Sequence, residues 1–438
     1  MGINPSGDQS RRIALALLSA IVDQGSPLDE VFERALSPRG ALAVLQPRDR
    51  SFVRNLVTTT IRRLGQIDAV LAHFAERAIR PAGVRNVLRL GAAQLLFLRT
   101  PAHAATTTAV ALVEAPPLRG FVNAVLRRIA TEGDPLVATQ DAARLTTPAW
   151  LWEGWTAAYG EAGASAIAAA HLVEPPLDLT LKDPASTAVW AERLSARILP
   201  TGSLRLAHAG TITALPGYKA GAWWVQDAAA ALPVRLLGEI KSRAVIDLCA
   251  APGGKTAQLA AAGGRVVALD IARGRLGRLR DNLDRTGLRA VVIEADATTW
   301  SPTTAGFGPA DAVLLDAPCS ATGTLRRHPD IALHKSAADV ARMADLQDRL
   351  LANAATMVKP GGLLVFCSCS LEPAEGPLRI AAFLEREAGF LRRPITDAEF
   401  AGVAPFVTPE GDLRTLPSQW AEHGGIDGFF IARLVRAA

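Results

Sequence analysis

The sequence predicts a chain of three parts: an all-helical bundle, a small α+β segment, and an α/β domain built on a parallel sheet. Three observations predict this organisation. Apolar residues recur with helical spacing from residue 11 to about residue 130. Residues 175–181 alternate between apolar and polar side chains, as a strand does. From residue 244 onward, short aliphatic runs alternate with helical patterns, which is typical of βαβ units.

The front part is expected to fold as a compact bundle of helices joined by short Gly- and Pro-containing connections. Ser26 is a candidate N-cap for a helix that begins at Pro27, and Pro101 separates two later helices. Residues 131–148 are polar and rich in helix breakers, so they are interpreted as a linker. Two predicted helices open with residues 13–18 and 27–32, and the others are 50–63, 67–78, 84–98, 103–114 and 119–129.

The middle and rear parts differ in pattern. Residues 149–235 are mixed and include Trp150, Trp152 and Trp155, whereas the rear part has regular strand–helix alternation with helices expected on both faces of the sheet. The predicted strands of the rear part are 244–249, 265–270, 290–295, 312–316 and 362–367. The domain boundaries that follow are 1–140, 145–235 and 236–438.

The charge of this 438-residue chain is unevenly distributed. The first 150 residues contain 18 Arg, no Lys and 12 acidic residues, a net charge of +6, and the remaining residues have a net charge of −1. A GC-rich genome would explain Arg in place of Lys, but it would not explain the uneven net charge. Because the guanidinium group matches phosphate geometry, nucleic acid is the expected partner of the front part.

The four cysteines are Cys249, Cys319, Cys367 and Cys369. All lie in the rear part, which is not the distribution of a disulfide framework, so a reducing, cytoplasmic location is expected. Cys367 and Cys369 are close enough to suggest zinc, but no second ligand pair accompanies them, so no metal is expected. The sequence has no long apolar run and no secretory signal, which predicts no membrane association. A monomer is expected.

Two of these cysteines follow predicted strands. Cys319 comes after the aliphatic run that ends at Asp316, and Cys369 comes after the strand that ends at Cys367. The carboxyl ends of parallel strands meet at one edge of a sheet, where ligands bind in doubly wound folds. Two thiols at that edge indicate nucleophilic catalysis, provided that a cofactor supplies an electrophile.

The first predicted strand of the rear part leads into residues 247–256, a turn of small residues before a helix. The segment does not match a phosphate-binding P-loop, because Cys249 stands where that motif requires its first glycine. Asp270 ends the second predicted strand and is placed to bind ribose hydroxyls, while Asp296 follows the third and could accept from an adenine amino group. These features favour an adenosine-containing cofactor without a long phosphate tail, and S-adenosylmethionine fits them.

Three segments, residues 247–256, 316–320 and 369–370, together closely resemble the RsmB/Nop/Sun family of RNA cytosine-5 methyltransferases. In the front part, residues 90–98, 101–105 and 119–127 resemble the antitermination-factor NusB domain, which is fused to the bacterial RsmB-like (Fmu/Sun) subgroup that methylates small-subunit ribosomal RNA. The resemblance reaches residues 423–430. It implies a NusB-like helical RNA-binding domain, a substrate-side α+β subdomain and a Rossmann-like methyltransferase domain.

The resemblance also implies residue roles. Cys369 would be the nucleophile that adds to C6 of cytosine, Asp316 would bind N3 and the 4-amino group, and Cys319 would help to release the product. S-adenosylmethionine would be held by a larger set of residues. The implied cofactor-binding residues are Asp247, Cys249, Ala250, Ala251, Pro252, Gly253, Gly254, Lys255, Asp270, Asp296 and Asp316.

Other interpretations remain open for several of these positions. Cys249 and Cys367 are interpreted as packing residues, although the Cys249 backbone could touch the cofactor, and Lys255 could be only a solvated helix residue. His328 could be a general base, but residues 326–330 are interpreted as a basic loop that faces RNA. The base that removes the C5 proton is not identified.

The chain departs from the family pattern at three places. Ala321 follows the Pro-Cys-Ser motif where the family often has Gly, and Ser368 replaces Thr. Residues 180–182 replace an Arg-Val-Asn pattern, which leaves the details of RNA contact open. The alternatives to methylation of small-subunit ribosomal RNA are cytosine-5 methylation of tRNA, large-subunit rRNA or DNA, or a non-enzymatic antitermination or assembly factor. In DNA enzymes of this type the nucleophile would be Cys319.

Overall fold

The computed structural model describes residues 5–75, 79, 81–207, 210–396, 399 and 402–438. The chain divides into two compact units, and each is discontinuous in sequence. The first consists of Met1–Glu174 together with Leu325–Lys335, and the second consists of Pro175–Thr324 together with Ser336–Ala438.

The first unit is helical throughout its described residues, as the sequence predicts. Its core contains aliphatic side chains such as Leu18, Leu56, Leu88 and Leu126, each with 1% or less of its surface exposed. Its helices are α1 (Pro5–Val22), α2 (Leu28–Leu36), α3 (Pro47–Arg62), α4 (Leu64–Phe74), α5 (Ala82–Leu96), α6 (Ala102–Ala111), α7 (Pro116–Ala138), α8 (Ala142–Thr146) and α9 (Ala149–His171), and a later one, Ile331–His334, comes from the second segment.

The interpretation of residues 131–148 as a linker is wrong, because α7 continues to Ala138 and α8 follows. Gly133, which reads as a helix breaker, allows close packing here. A Cβ atom at this position would lie 2.8 Å from the Leu96 side chain. Tertiary packing therefore outweighs the low helix propensity of this stretch.

The segment Leu325–Lys335 packs within the first unit. Asp330 accepts a hydrogen bond from the backbone N–H of Leu28 at the start of α2 (2.9 Å), and the Arg326 carbonyl accepts one from Arg62 (2.9 Å). Arg326 has only 2% of its surface exposed. The interpretation of residues 326–330 as a basic loop that faces RNA is therefore wrong for Arg326, which is a buried packing residue.

The second unit contains two sheets. The smaller sheet is antiparallel, with strand order β2–β3–β1–β4, and encloses its own core around Trp223. The larger sheet has the order β10–β12–β9–β8–β5–β6–β7, with β11 beside β12. The strands are β1 (Leu177–Leu181), β2 (Arg197–Ile198), β3 (Leu204–Leu206), β4 (Trp223–Val225), β5 (Ala244–Leu248), β6 (Arg265–Asp270), β7 (Val291–Glu294), β8 (Ala310–Asp316), β9 (Val358–Ser368), β10 (Phe390–Arg392), β11 (Leu413–Thr415) and β12 (Phe429–Arg436).

Successive residues of a strand point to opposite sides of the sheet, and here both sides carry apolar side chains that pack into a core. Val313 and Leu315 lie in one core, whereas Ala312 and Leu314 lie in the other. The remaining helices of the second unit are α10 (Thr187–Leu194), α11 (Leu232–Arg235), α12 (Gly254–Ala261), α13 (Arg273–Thr286), α15 (Ala337–Thr356) and α16 (Pro377–Arg386), with Ile331–His334 of the first unit counted as α14. The fold class predicted from the sequence is confirmed.

The larger sheet is mixed rather than parallel throughout. Strands β5 to β9 are parallel to one another, but β12 is antiparallel to β9. The chain order reverses between β5 and β8: β6 and β7 lie on one side of β5, and β8 and β9 lie on the other. A crevice for a ligand is expected outside the carboxyl ends of the strands at such a reversal.

Candidate active site

The site residues predicted from the sequence lie at this edge of the larger sheet. Asp247 is the penultimate residue of β5, Asp270 ends β6, and Asp316 ends β8. In the sheet register Asp316 lies directly beside Cys367 of β9. Because Cys319 and Cys369 come shortly after β8 and β9, the strand ends bring both thiol-bearing turns to the same place.

The two thiols are in contact. Cys319 Sγ lies 3.4 Å from Cys369 Sγ, and both side chains are partly exposed. Two backbone hydrogen bonds hold the turns together: Ala317 N–H donates to the Cys367 carbonyl and Gly323 N–H donates to the Cys369 carbonyl, both at 2.9 Å. The structure thus joins two residues that are 50 positions apart in the sequence.

A buried carboxylate, Glu375, links the same two turns. Its Oε1 accepts from the backbone N–H of Ser320 (2.7 Å), and its Oε2 accepts from the hydroxyl groups of both Ser320 and Ser370, the latter at 2.5 Å. All three residues are completely buried. Ser320 follows Cys319 and Ser370 follows Cys369, so one side chain sets the positions of both thiols. Sequence reasoning missed Glu375, because a glutamate in a Pro- and Gly-containing stretch reads as a solvated loop residue.

The surroundings of Cys319 shift the pKa of its thiol. The contact with Cys369, burial and the negative charge of Glu375 raise the pKa of Cys319 well above its usual range. Cys319 therefore stays protonated at neutral pH and can donate its proton toward Cys369. This arrangement is suited to a nucleophile assisted by a second thiol.

Lys255 and Asp316 form an ion pair beside the thiols. Lys255 Nζ lies 2.7 Å from Asp316 Oδ2 and 5.3 Å from the centre of the Phe429 ring. Lys255 has 8% of its surface exposed, so it is not a solvated helix residue. Burial alone would lower the pKa of Lys255, but Asp316 and the thiol groups of Cys367 and Cys369 raise it above its ordinary value. The ammonium group is therefore charged, and it places a fixed positive charge at the end of β8.

Cys367 is completely buried, as expected of a packing residue, but its thiol also contacts Asp316 Oδ1 at 3.3 Å. Burial raises the pKa of Cys367 well above its usual range, so it stays a neutral S–H group. Both oxygens of Asp316 are thus contacted from the protein side. About 30% of the Asp316 side chain remains exposed, which leaves it open to a ligand at the crevice.

The turn after β5 has an unusual backbone. Cys249 has a φ of +59°, and Gly253, at the start of α12, has a φ of +102°. A Cβ atom at Gly253 would lie 2.8 Å from the Leu279 side chain, so both the conformation and the packing require glycine there. Cys249 is only partly buried, and burial raises its pKa, so the thiol remains neutral. The segment from Ala250 to Gly254 lies between the ends of β5 and β6, because the Ala250 N–H donates to the Leu269 carbonyl (2.8 Å).

The three predicted acidic residues have different environments. Asp270 is 3% exposed and accepts from the backbone N–H groups of Ala251 (3.0 Å) and Ala272 (2.8 Å), so it holds the turn after β5 against the end of β6. Asp296 is exposed after β7, where the backbone and hydroxyl groups of Thr298 lower its pKa. Asp247 is fully buried and accepts from the Thr256 hydroxyl at 2.6 Å.

Two observations bear on whether this crevice fits an adenosine-containing cofactor. Asp247 Oδ1 is buried and has no hydrogen-bond partner among the described residues, which leaves one acceptor unsatisfied beneath the turn. Ile271, next to Asp270, has 69% of its surface exposed. An exposed aliphatic side chain beside a carboxylate can pack against a flat base while the carboxylate accepts from a ribose. The residues fit such a cofactor, and Ile271 is a candidate contact that sequence reasoning missed.

Within the described ranges, no group of three or more His, Cys, Asp or Glu side chains could hold a metal ion. Nor does any described helix combine the length and apolar character that crossing a membrane requires.

Asp247→Asn is expected to remove a pH dependence of stability. Burial raises the pKa of Asp247 from 3.8 to about 7, despite the hydrogen bond from Thr256, which acts in the opposite direction. The ionised carboxylate therefore costs stability above about pH 7, and protonation relieves this cost as the pH falls toward the unfolded-state pKa. Relative to the Asp247→Asn variant, the wild type should gain about 2 kcal/mol in free energy of unfolding between about pH 8 and about pH 5. Urea titrations of both cofactor-free proteins measure this. A difference that does not change with pH would contradict the assignment.

Comparison with known proteins gives two family matches that together span most of the chain. Residues 235–435 match the family described as 16S rRNA methyltransferase RsmB/F, and residues 8–131 match the NusB family. The ribosomal RNA small subunit methyltransferase B of Escherichia coli O1:K1 is 33% identical, and the alignment covers 97% of this chain and 98% of that protein. A probable enzyme of the same name from Synechocystis sp. is also 33% identical, with 98% and 99% covered.

Solved structures show the same fold. The crystal structure of PH0851 matches with a TM-score of 0.76 and 24% identity, over 99% of both chains. A methyltransferase homologue from Pyrococcus horikoshii matches with a TM-score of 0.55 and 26% identity, over 65% of this chain and 93% of that one.

Proposed function

Because the chain belongs to the RsmB/F family of 16S rRNA methyltransferases, we propose that it methylates C5 of a cytosine through a covalent adduct on Cys369. The family match establishes methylation of small-subunit ribosomal RNA, with S-adenosylmethionine as the cofactor. The main support for cytosine-5 methylation through Cys369 is the 3.4 Å contact between Cys319 and Cys369 at the end of the strands.

Cytosine needs a nucleophile before its C5 atom can accept a methyl group. Addition of the Cys369 thiolate to C6 forms a C6–S bond and converts the ring to an enamine, whose C5 is a carbon nucleophile. S-adenosylmethionine supplies, when bound, a methyl group on a positively charged sulfur. After transfer, a base takes the proton from C5, the electron pair of that C–H bond re-forms the C5–C6 double bond, and the C6–S bond breaks so that Cys369 leaves as a thiolate.

Asp316 and Lys255 are proposed to hold the cytosine ring. Asp316 would bind N3 and the 4-amino group, and the charged Lys255 at 2.7 Å keeps its carboxylate oriented. The fixed charges of Asp316 and Lys255 would then stabilise the charge that develops on the ring during addition. The target base must leave its stack to reach these residues, so an exposed or flipped nucleotide is the expected substrate.

Cys319 is proposed to assist the release of the product. Its raised pKa keeps a proton on the sulfur next to Cys369, so a proton is available where the thiolate departs. The front unit, with its NusB-family match and its net positive charge, is proposed to bind the RNA backbone.

The identity of the modified nucleoside tests this proposal. Purified protein is incubated with labelled S-adenosylmethionine and deproteinised small-subunit rRNA, and the RNA is digested and analysed by mass spectrometry. We expect 5-methylcytidine at one position. A methyl group on another atom would overturn the cytosine-5 proposal. Equal labelling of tRNA or large-subunit rRNA would overturn the choice of substrate, and no transfer to any RNA would favour an antitermination or assembly role.

A further inference from the structure

A second cavity lies in the second unit, away from the thiols. It has a volume of about 620 Å³, and Ala261 and Ala262 contribute to its wall. It therefore lies at the end of α12 opposite to the turn that follows β5. The length of α12 separates the two places by about 10 Å, since a helix rises about 1.5 Å per residue. None of the residues in the proposed reaction lines this cavity.

Arg235, the last residue of α11, lines the cavity. Its guanidinium forms no hydrogen bond or ion pair with any residue in the described part of the chain. Its guanidinium lies against the turn between β2 and β3, because a Cβ atom at Gly202 would be 3.5 Å from Arg235 Nη2. Burial lowers the pKa of Arg235, as expected of a cation that is removed from water without a counter-ion.

Three buried hydroxyl groups in the wall of the same cavity have no partner among the described residues. Thr201 and Ser203 flank Gly202, each with only 2% of its surface exposed, and Thr180 at the end of β1 has 8% exposed. None of the three hydroxyl oxygens has a hydrogen-bond partner among the described residues, and all three side chains line the cavity. A hydroxyl group reaches a neighbouring ligand by rotation about one side-chain torsion, and it can donate as well as accept.

The other charged groups of the wall leave the cavity positive. Lys182 Nζ donates to the Thr286 carbonyl at 2.7 Å, which adds a second cation. Glu399 also lines the cavity, but its carboxylate accepts from Arg433 Nη2 through both oxygens, at 2.8 and 3.1 Å. The negative charge of Glu399 is therefore balanced by Arg433, and the positive charge of Arg235 remains available to a bound anion.

We propose that this cavity binds a phosphate group, with Arg235 as the charged donor and Thr201 and Ser203 as hydroxyl donors. An oxyanion would pair with the half-buried Arg235 and with unpaired hydroxyl groups at once, and the planar guanidinium matches phosphate geometry. The phosphate can belong to an RNA backbone or to a small phosphorylated compound. The inference does not depend on the proposed reaction.

The test uses the full-length protein with inorganic phosphate as the probe. Thermal melting and calorimetric titration are done in phosphate and in sodium chloride of equal ionic strength. We expect phosphate to stabilise the wild type, and Arg235→Gln to weaken phosphate binding at least about tenfold, as for loss of a charged hydrogen bond. Ser203→Ala removes one hydroxyl donor without altering charge and is expected to weaken binding about threefold to tenfold. Arg280→Gln, at an exposed position of α13, makes the same charge change and should have no effect.

RNA binding distinguishes the two sources of phosphate. If Arg235→Gln also weakens binding of a single-stranded RNA and phosphate competes with that RNA, the ligand is the RNA backbone. If RNA binding and methyl transfer are unchanged while phosphate binding is lost, the ligand is a small phosphorylated compound. No phosphate-specific stabilisation of the wild type, or equal binding by wild type and Arg235→Gln, would overturn the proposal.

Discussion

Replacement of Cys369 by serine is expected to lower methyl transfer to small-subunit rRNA by at least about a thousandfold. A hydroxyl group is far less ionised than a thiol at neutral pH, so the C6 adduct would not form. Substrate binding should be nearly unchanged, because the substitution keeps the shape of the side chain. Initial rates with a labelled methyl donor, together with a separate measurement of RNA affinity, test both expectations.

Cys319→Ser provides the matched control, since Cys319 lies 3.4 Å from the same place. If Cys319 assists product release, this variant should form the adduct and turn over slowly, so protein bound covalently to RNA should accumulate. A denaturing gel followed by peptide mapping identifies the residue that is attached. RNA attached to Cys319 in the wild type, or an adduct formed by the Cys369→Ser variant, would reverse the assignment of the two roles.

The second large effect is expected at Glu375. Glu375→Ala would remove the carboxylate that accepts from three buried donors, namely the N–H and hydroxyl groups of Ser320 and the hydroxyl group of Ser370. The two hydroxyl groups would keep only their contact with each other at 3.1 Å and that of Ser370 with Thr322 at 3.4 Å. A buried donor that loses its acceptor costs about 1–3 kcal/mol, so the free energy of unfolding should fall by about 3 kcal/mol. Glu375→Gln keeps the size and one acceptor, and should remain folded while methyl transfer falls about tenfold to a hundredfold.

A pH profile separates positioning of the thiols from simple destabilisation. The charge of Glu375 is one of the causes that raise the pKa of Cys319, so Glu375→Gln should move the titration of that thiol to lower pH. Glu385→Gln, at an exposed position of α16, is the control and should change neither stability nor the profile. A Glu375→Gln variant with wild-type rate and pH profile would show that the carboxylate has no role in the site.

Much of the parallel sheet could be predicted, because each of its strands is a short aliphatic run next to a turn. The β6 strand, Arg265–Asp270, has the predicted bounds, and β5 differs from the prediction by one residue. The antiparallel β12 was not predicted, since Phe429–Arg436 pairs with β9 over more than 60 positions of intervening sequence. Pairing at this distance leaves no local pattern in the strand itself.

In the site, too, residues with a local sequence signal could be predicted, and residues placed by distant contacts could not. The sequence predicts that Asp316, Cys319 and Cys369 lie at the strand ends, because Asp316 ends a predicted strand and each cysteine follows one, which is a local signal. Glu375 was not found, because its partner Ser320 lies 55 positions away and nothing near Glu375 indicates burial. The backbone conformation of Ala321 explains why the family often has glycine at this position. Its φ of +60° is a conformation that favours the glycine often found there in the family.

The segment Leu325–Lys335 determines whether the two units could be expressed as separate fragments. The chain leaves the second unit after Thr324, completes the first unit, and returns at Ser336. No single cut in the coding sequence therefore yields both units whole. A fragment that stops at Glu174 lacks Asp330 and Arg326, whose groups pair with Leu28 and Arg62, while the remaining fragment carries that segment without its partner helices. The two family matches, residues 8–131 and 235–435, therefore do not coincide with the two units, because each unit draws on both sides of Thr324.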